Sequence, residues 1–370
     1  MNKFQNLSSC TAFLAGKNAT VDGSTMIARN EDAGGGVNAK RFVVVNPQDQ
    51  PSEYISTFNQ FRVKLPDHPL RYTATPNADI SDGVWGESGI NTDNVAMSST
   101  ETEFTNTTML GLDPLVADGI GEEAMLTCVL PYIHSAREGV KRLGELVTNF
   151  GTCESNGIAF SDSEEVWYFE TVGGHHWAAE RIPDDSYAVA PNQTGIQEID
   201  FNDAEHFMYS DDLKEFAESH HLNKARKGFN FRDIFGEDVQ ADHYYNTPRV
   251  WYGQKMFNPE IEQDPESRTM PFTRVADHLI SVEDIALFLS SHYQGTEFDP
   301  YGQTGTEESR HRYRPIGMNR NQEMHILQIR PNFPAEQAAI HWLAEGVNEF
   351  NAPVPFFANC TDCLLYTSPS

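Results

Sequence analysis

Cys10-Thr11-Ala12-Phe13-Leu14-Ala15-Gly16-Lys17, followed by Val21-Asp22-Gly23-Ser24-Thr25-Met26-Ile27-Ala28-Arg29-Asn30-Glu31-Asp32, is the stretch on which the reading of this chain turns. Asp22-Gly23 is a dipeptide that readily supplies the backbone geometry of a hairpin turn. The pattern predicts a strand, a tight turn and a returning strand. A hairpin brings its ends together, so the Cys10 thiol, the Arg29 guanidinium and the Asp32 carboxylate are expected in one small volume. Read alone, this is a small buried cysteine beside an Arg-x-x-Asp ion pair, and such a pair is worth about 0–1 kcal/mol at a surface.

Working outward, 370 residues with 39% hydrophobic content and 23 Phe are enough for a sizeable core in one large domain or two ordinary ones. The formal net charge of −28 repels nucleic acid and anionic membrane and argues against both as partners. No apolar run is long enough to span a bilayer, and Met1 to Ser9 lacks the apolar segment of a secretory signal. Leu7-Ser8-Ser9-Cys10 resembles a lipoprotein cleavage box, but Asn2-Lys3-Phe4-Gln5-Asn6 is not the hydrophobic lead such a box requires. The expected location is the cytoplasm. Cys10, Cys128, Cys153, Cys360 and Cys363 are odd in number and scattered, unlike a disulfide framework.

Further strands are predicted at Arg41 to Val45 (buried), Leu70 to Thr75, Asn94 to Thr100, Gly157 to Ser161, Val166 to Thr171, His176 to Ile182 and Tyr187 to Ala190. Two more are expected at His325 to Ile329 and Ala338 to Leu343. Helices are predicted for Glu122 to Tyr132, interrupted by Pro131, and for Ser135 to Phe150. In the second, Val140, Leu143, Val147 and Phe150 share a face and Gly151 supplies the stop. Asp211 to His220 reads as a helix capped by Ser210, and Ser281-Val282-Glu283-Asp284 as a capping box opening another. Groups of strands alternating with groups of helices indicate an α+β fold of mainly antiparallel sheets covered by helices.

Competing chemistries lack support in the residues. His175-His176 and His220-His221 are adjacent pairs that do not have the i,i+4 spacing of ligands on one helix face, and there is no His-Glu-x-x-His. His311, among Arg310, Arg312 and Arg314, reads as part of a solvated basic patch. Gly34-Gly35-Gly36 lacks the Lys-Ser/Thr of a phosphate loop.

Cys10-Thr11, Asp22 through Asp32, and Asn91 with Val95-Ala96-Met97-Ser98-Ser99-Thr100-Glu101-Thr102 together resemble the C69 dipeptidases. These are cysteine peptidases of the N-terminal-nucleophile hydrolase superfamily, related to penicillin V acylases, bile-salt hydrolases and secernins. Tyr187 to Asn192, Tyr245-Asn246-Thr247-Pro248-Arg249-Val250-Trp251 and Arg314-Pro315-Ile316 with Met324-His325-Ile326 extend the resemblance from Cys10 to about Asp362. It implies a four-layer αββα sandwich and a single domain over residues 10–362. Met1 to Ser9 would be a short propeptide whose removal frees the Cys10 amine. Relatives continue well past this point, so the natural C-terminal portion is expected to be missing, and residues 363–370 read as a foreign tail.

The resemblance implies Cys10 as nucleophile, Arg29 as the cation favouring thiolate, and Asp32 as acceptor for the α-amine. Asn192 is implied as an oxyanion-hole donor, Asn91 as a second, and Arg249 as a late active-site arginine. An α-amine with a pKa of about 7.7–8.0 can serve as general base for its own thiol. The implied activity is hydrolysis of small peptides, dipeptides above all, without metal or organic cofactor, and relatives often form homo-oligomers. Two alternatives stand beside it: an acylase acting on N-acyl substrates, and a non-enzymatic interaction protein of the secernin type. The presence of Cys10, Arg29, Asp32 and Asn192 speaks against the latter.

Overall fold

The computed structural model describes residues 10–33 and 38–361. The expected propeptide, the three-glycine run, Cys363 and the expected foreign tail lie outside the described residues.

Among the described residues, thirteen strands form two antiparallel sheets. In chain order they are β1 (Thr11–Ala15), β2 (Thr25–Asp32), β3 (Ser88–Ile90), β4 (Ala96–Thr102), β5 (Asn156–Ser161), β6 (Val166–Val172), β7 (His176–Ile182), β8 (Ser186–Ala190), β9 (Phe207–Tyr209), β10 (Thr273–Val275), β11 (Asn321–Ile329), β12 (Ala339–Glu345) and β13 (Val354–Phe357). The first sheet runs β10-β8-β1-β2-β11-β12-β13 and the second β9-β7-β6-β5-β4-β3. Helices α1 (Glu122–Val129) and α2 (Ala136–Phe150) pack on the second sheet. Helices α3 (Thr247–Phe257) and α4 (Val282–Leu289) pack on the first.

Three hydrophobic clusters match the three interfaces of this four-layer αββα stack. Leu14, Ile27, Ala159 and Tyr168 lie between the sheets. Leu143, Val147, Phe160 and Phe169 lie between α2 and the second sheet. Phe13, Met26, Phe288 and Leu289 lie between α4 and the first. Strand periodicity explains the sorting: along β1, Leu14 faces the other sheet while Phe13 faces the helices.

The hairpin forms as expected, with Ala12 opposite Arg29 and Leu14 opposite Ile27. Its connection is longer than a tight turn, because a 3-10 turn at Lys17–Ala19 precedes Gly23, whose φ is +77°. The capping box at Ser281 and the Gly151 stop are both present. Val140, Leu143 and Val147 are buried, but Phe150 is exposed at the end of its helix. Val43–Val45 is a half-buried strand of a small separate ribbon with Tyr72–Ala74, not a core strand. Asp212, not Ser210, is the cap of the helix Leu213–Ser219. His175 and His176 do converge: the turn before β7 lets both bind one carboxylate, Asp113, at 2.9 and 2.7 Å.

Buried titratable groups occupy the space between the sheets. His325 bridges Glu323 and Ser98, with 2.8 Å on each side. Burial pushes the Glu323 carboxyl up to about 8 and holds the His325 imidazole well below its ordinary range. Burial likewise pushes Glu170 up to about 7 and depresses His341. The stability contributed by the two carboxyls is complete at acid pH and is lost as pH rises through 7 and 8; that of the two neutral imidazoles is complete above about pH 6.5 and lost below it. The melting temperature is therefore expected to fall between pH 6.5 and 8.5, and Glu323→Gln, which mimics the protonated acid, should flatten part of that fall. Thermal unfolding of both chains at the two pH values checks this; an identical fall in the variant would contradict it.

Candidate functional site

Cys10 sits at the start of β1, 5% exposed. Arg29, on the neighbouring strand and fully buried, donates from Nη1 to Cys10 Sγ at 3.3 Å. The expected pairing of Arg29 with Asp32 does not occur. The two are three positions apart on one strand, an odd spacing that turns them to opposite faces. Arg29 lies on the inter-sheet face with Ile27, and Asp32 on the helix face with Ala28. Arg29 reaches the Cys10 thiol, while Asp32 is tied through Arg314 to Thr11, the residue that follows Cys10.

On the inter-sheet face, Arg29 is enclosed by three carboxyl groups: Glu31 at 2.7 Å, Glu87 at 2.5 Å and Glu122 at 3.1 Å. The Cys10 thiol donates to Glu31 Oε2 at 3.3 Å. Lys40 closes the cluster with a 2.8 Å bond to Glu87. Burial would raise the Glu87 pKa, but Lys40 and Arg29 outweigh it and hold the group at about 2. Glu122 is driven well above the carboxylate range by burial and by the nearby charge of Glu87. Glu87 is a non-glycine residue at φ +55°, a backbone strain that delivers its carboxylate to Arg29.

On the helix face, two further guanidinium groups converge on the first residues of β1. Arg249, in the first turn of α3, uses every nitrogen of its fork. Its Nε binds the Tyr245 carbonyl at 2.9 Å. Its Nη1 binds the Cys10 carbonyl, and Thr11 Oγ1 at 2.8 Å. Its Nη2 binds Asn192 Oδ1 at 2.8 Å and Asn246 Oδ1 at 2.5 Å. Arg314 donates to Thr11 Oγ1 at 3.2 Å and to Asp32 Oδ2 at 2.5 Å.

The buried atoms here that lack a hydrogen-bond partner among the described residues include Asn192 Nδ2, a donor, and Asp32 Oδ1, an acceptor. Leaving such bonds unmade costs about 1–3 kcal/mol each, so these atoms mark places built to meet something else. Asn192 follows β8 and Pro191, and its own carbonyl is held by Asn246 Nδ2 at 2.9 Å. With Oδ1 fixed by Arg249, the amide nitrogen has one orientation. The following loop is tied down by Glu170, which accepts from Gly195 N at 2.5 Å and Ile196 N at 3.1 Å. Burial raises the Asp32 pKa, against the opposing charges of Arg314, Arg249 and Arg320.

Residues 9–368 match peptidase family C69. The chain belongs to that family. A dipeptidase of Bifidobacterium longum (strain NCC 2705) is 52% identical over 96% of this chain and 72% of its own length. A probable dipeptidase B of Lactococcus lactis subsp. lactis (strain IL1403) is 52% identical over 96% of this chain and 75% of its own. A probable dipeptidase of Salmonella dublin is 39% identical over 94% of this chain and 80% of its own. Among solved structures, a mutant conjugated bile acid hydrolase from Clostridium perfringens aligns with 94% of this chain and 96% of its own. That alignment has 10% identity and a TM-score of 0.40.

In this C69 chain the structure brings together Cys10, Arg29, Asp32, Asn192 and Arg249 of the residues expected from sequence. It does not bring Asn91 with them. The Asn91 amide nitrogen donates to the Leu130 and Ile133 carbonyls, its Oδ1 accepts from Asp93 N and Val95 N, and its backbone N–H binds the Val95 carbonyl. All these polar groups serve the turn before β4. Arg314 is not part of a solvated patch with His311: it is fully buried against Asp32, while the His311 side chain is 60% exposed. Glu31 lies within the opening stretch but is not singled out by it, and Glu87 and Glu122 come from two separate segments with no local sequence signal. Arg249→Lys keeps a charge but cannot span Asn192, Asn246 and the Cys10 carbonyl at once. It is expected to lower kcat/KM at least about 100-fold, as misplacement of catalytic groups by about 1 Å does; retention of activity within a few-fold, measured on a short peptide, would contradict the positioning role.

Proposed function

We propose that this chain is a cysteine-type dipeptidase whose nucleophile is Cys10 and whose general base is the α-amine of the same residue, freed by cleavage of the Ser9–Cys10 bond. The observation that carries the reading is a pair of buried, unpartnered atoms on side chains that Arg249 and Arg314 tie to Cys10 and Thr11: Asp32 Oδ1 suits an α-ammonium, and Asn192 Nδ2 suits an oxyanion. The names of the 52%-identical relatives point to dipeptide substrates.

In this reading the α-amine takes the thiol proton, and the Arg29 guanidinium 3.3 Å from Sγ stabilises the thiolate. The thiolate attacks the peptide carbonyl, and the developing oxyanion is met by Asn192 Nδ2. The α-ammonium, held by Asp32, returns its proton to the leaving amine as the C–N bond breaks. Water then attacks the thioester, giving up its proton to the α-amine, and the thiol is restored. Arg249 and Arg314 place positive charge beside the amine, which favours its neutral, basic form at neutral pH.

The test is dipeptide hydrolysis by wild type and two variants. Cys10→Ala is expected to show no turnover. Asn192→Ala is expected to lower kcat about 10²–10³-fold with KM nearly unchanged, the signature of a donor that acts on the transition state. Activity retained by Cys10→Ala would assign the chemistry to another nucleophile.

A further inference from the structure

Past Asn192, the loop is gripped at one dipeptide. Gly195 and Ile196 carry four backbone polar groups, and two residues bind all of them. Glu170, on β6, accepts from Gly195 N at 2.5 Å with one carboxylate oxygen and from Ile196 N at 3.1 Å with the other. Arg232, in the short helix Phe231–Phe235, donates from Nη2 to the Gly195 carbonyl at 3.2 Å and from its backbone N–H to the Ile196 carbonyl at 3.0 Å. Its Nη1 is anchored on the Arg268 carbonyl at 3.0 Å. Glu170 and Arg232 are both buried. A Cβ at Gly195 would lie 2.6 Å from the Phe272 ring, so the dipeptide also has little room to shift.

The chemistry of this grip calls for a carboxylate. Two successive N–H groups aimed at one side chain form an anion-binding concavity, and an ionised carboxyl offers each its own acceptor oxygen. Glu103 stands beside Glu170 and accepts from the Tyr168 hydroxyl at 2.9 Å. Burial and the Glu170 charge drive the Glu103 carboxyl well above the carboxylate range. The proton of this acid pair therefore rests on Glu103, and Glu170 is left as the acceptor. The grip also crosses the fold: β6 belongs to the second sheet, whereas Asn192 leaves β8 of the first.

Resting on the oxyanion role proposed for Asn192, we infer that Glu170 and Arg232 are positioning residues for that role: by clamping Gly195 and Ile196 they fix the loop just past Asn192 and so hold its Nδ2 where the charge develops. Arg249 and Asn246 hold Asn192 itself, at Oδ1 and at its carbonyl. Those bonds orient the amide from the side of α3. The clamp supplies a second bearing from the opposite sheet. An oxyanion donor acts over about 2.7–3.1 Å, and a misplacement of about 1 Å costs about 100-fold in rate. In Glu170→Gln one acceptor oxygen becomes an NH2 group that faces an N–H. A buried donor is then left unmade, and the loop gains by turning away to satisfy it.

The experiment is a double-mutant cycle on kcat and KM for one dipeptide, with wild type, Glu170→Gln, Asn192→Ala and the double variant. It is run at pH 8, above the value of about 7 to which burial pushes the Glu170 carboxyl. Glu170→Gln is expected to lower kcat about 10–100-fold with KM nearly unchanged. In the Asn192→Ala background the same substitution should cost less than about 3-fold, because the donor it positions is gone. A merely structural role lowers the active fraction equally in both backgrounds. Equal losses, or a loss under about 3-fold in the otherwise wild-type chain, overturn the inference. If Glu170→Gln does not fold, Arg232→Lys goes through the same cycle with the same expected and overturning results, since lysine keeps the charge but cannot span the Gly195 and Arg268 carbonyls. If wild type hydrolyses no dipeptide, or Asn192→Ala leaves kcat unchanged, the dipeptidase reading is what fails. The clamp is then read from amide hydrogen exchange, which must quicken at least about 10-fold over residues 192–199 in Glu170→Gln and stay unchanged in β6 and β8. An unchanged rate over 192–199 overturns the clamp.

Discussion

One guanidinium fixes the relation between the strand that carries the cysteine and the loop that carries the amide. Arg249 reaches from the first turn of α3 to the carbonyl of Cys10, the hydroxyl of Thr11 and the side-chain oxygen of Asn192. A lysine could not do this, because three rotatable donors on a point charge cannot span three fixed acceptors. The bond to Asn192 Oδ1 decides which end of that amide faces outward, and so converts a turn asparagine into a directed N–H donor. The four-layer stack serves this contact: α3 is buried almost all round, which leaves Arg249 no alternative partner in water.

Charge around Cys10 is divided by the sheet. The helix face holds Arg249 and Arg314 against Asp32, and the inter-sheet face holds Arg29 and Lys40 against three glutamates. The first lies at the backbone end of Cys10, where Arg249 holds the Cys10 carbonyl. The second lies beside the thiol, where burial and Glu87 push the Glu122 carboxyl toward its neutral form and Arg29 and Lys40 face the carboxylates of Glu31 and Glu87. A single strand thus separates two charged clusters by the alternation of its side chains.

Much of the fold was legible because its signals are local. The alternating strands Val166–Val172 and His176–Ile182, the Ser281 capping box and the Gly151 stop each rest on a few adjacent residues. Helix α3 was not legible, because nine of its eleven residues are buried and it shows no amphipathic stripe. In the site, Cys10, Arg29, Asp32, Asn192 and Arg249 could be reached through the ordered motifs, but their pairings could not. The opposite facing of Arg29 and Asp32 was implicit in their odd spacing. The partnership of Asp32 with Arg314, 282 residues away, and of Arg29 with Glu87 and Glu122 depends on tertiary assembly alone. Asn91 misled for a physical reason: a buried asparagine that satisfies a turn has the same sequence context as one that faces a substrate.

The account stands on the α-amine of Cys10 being free in the working enzyme. The most direct measurement is the intact mass and N-terminal sequence of the purified, catalytically active chain. The predicted result is a chain that begins at Cys10, with residues 1–9 removed. A fully active chain that still carries Met1 to Ser9 would contradict it, since the base assigned to the thiol would then be an amide.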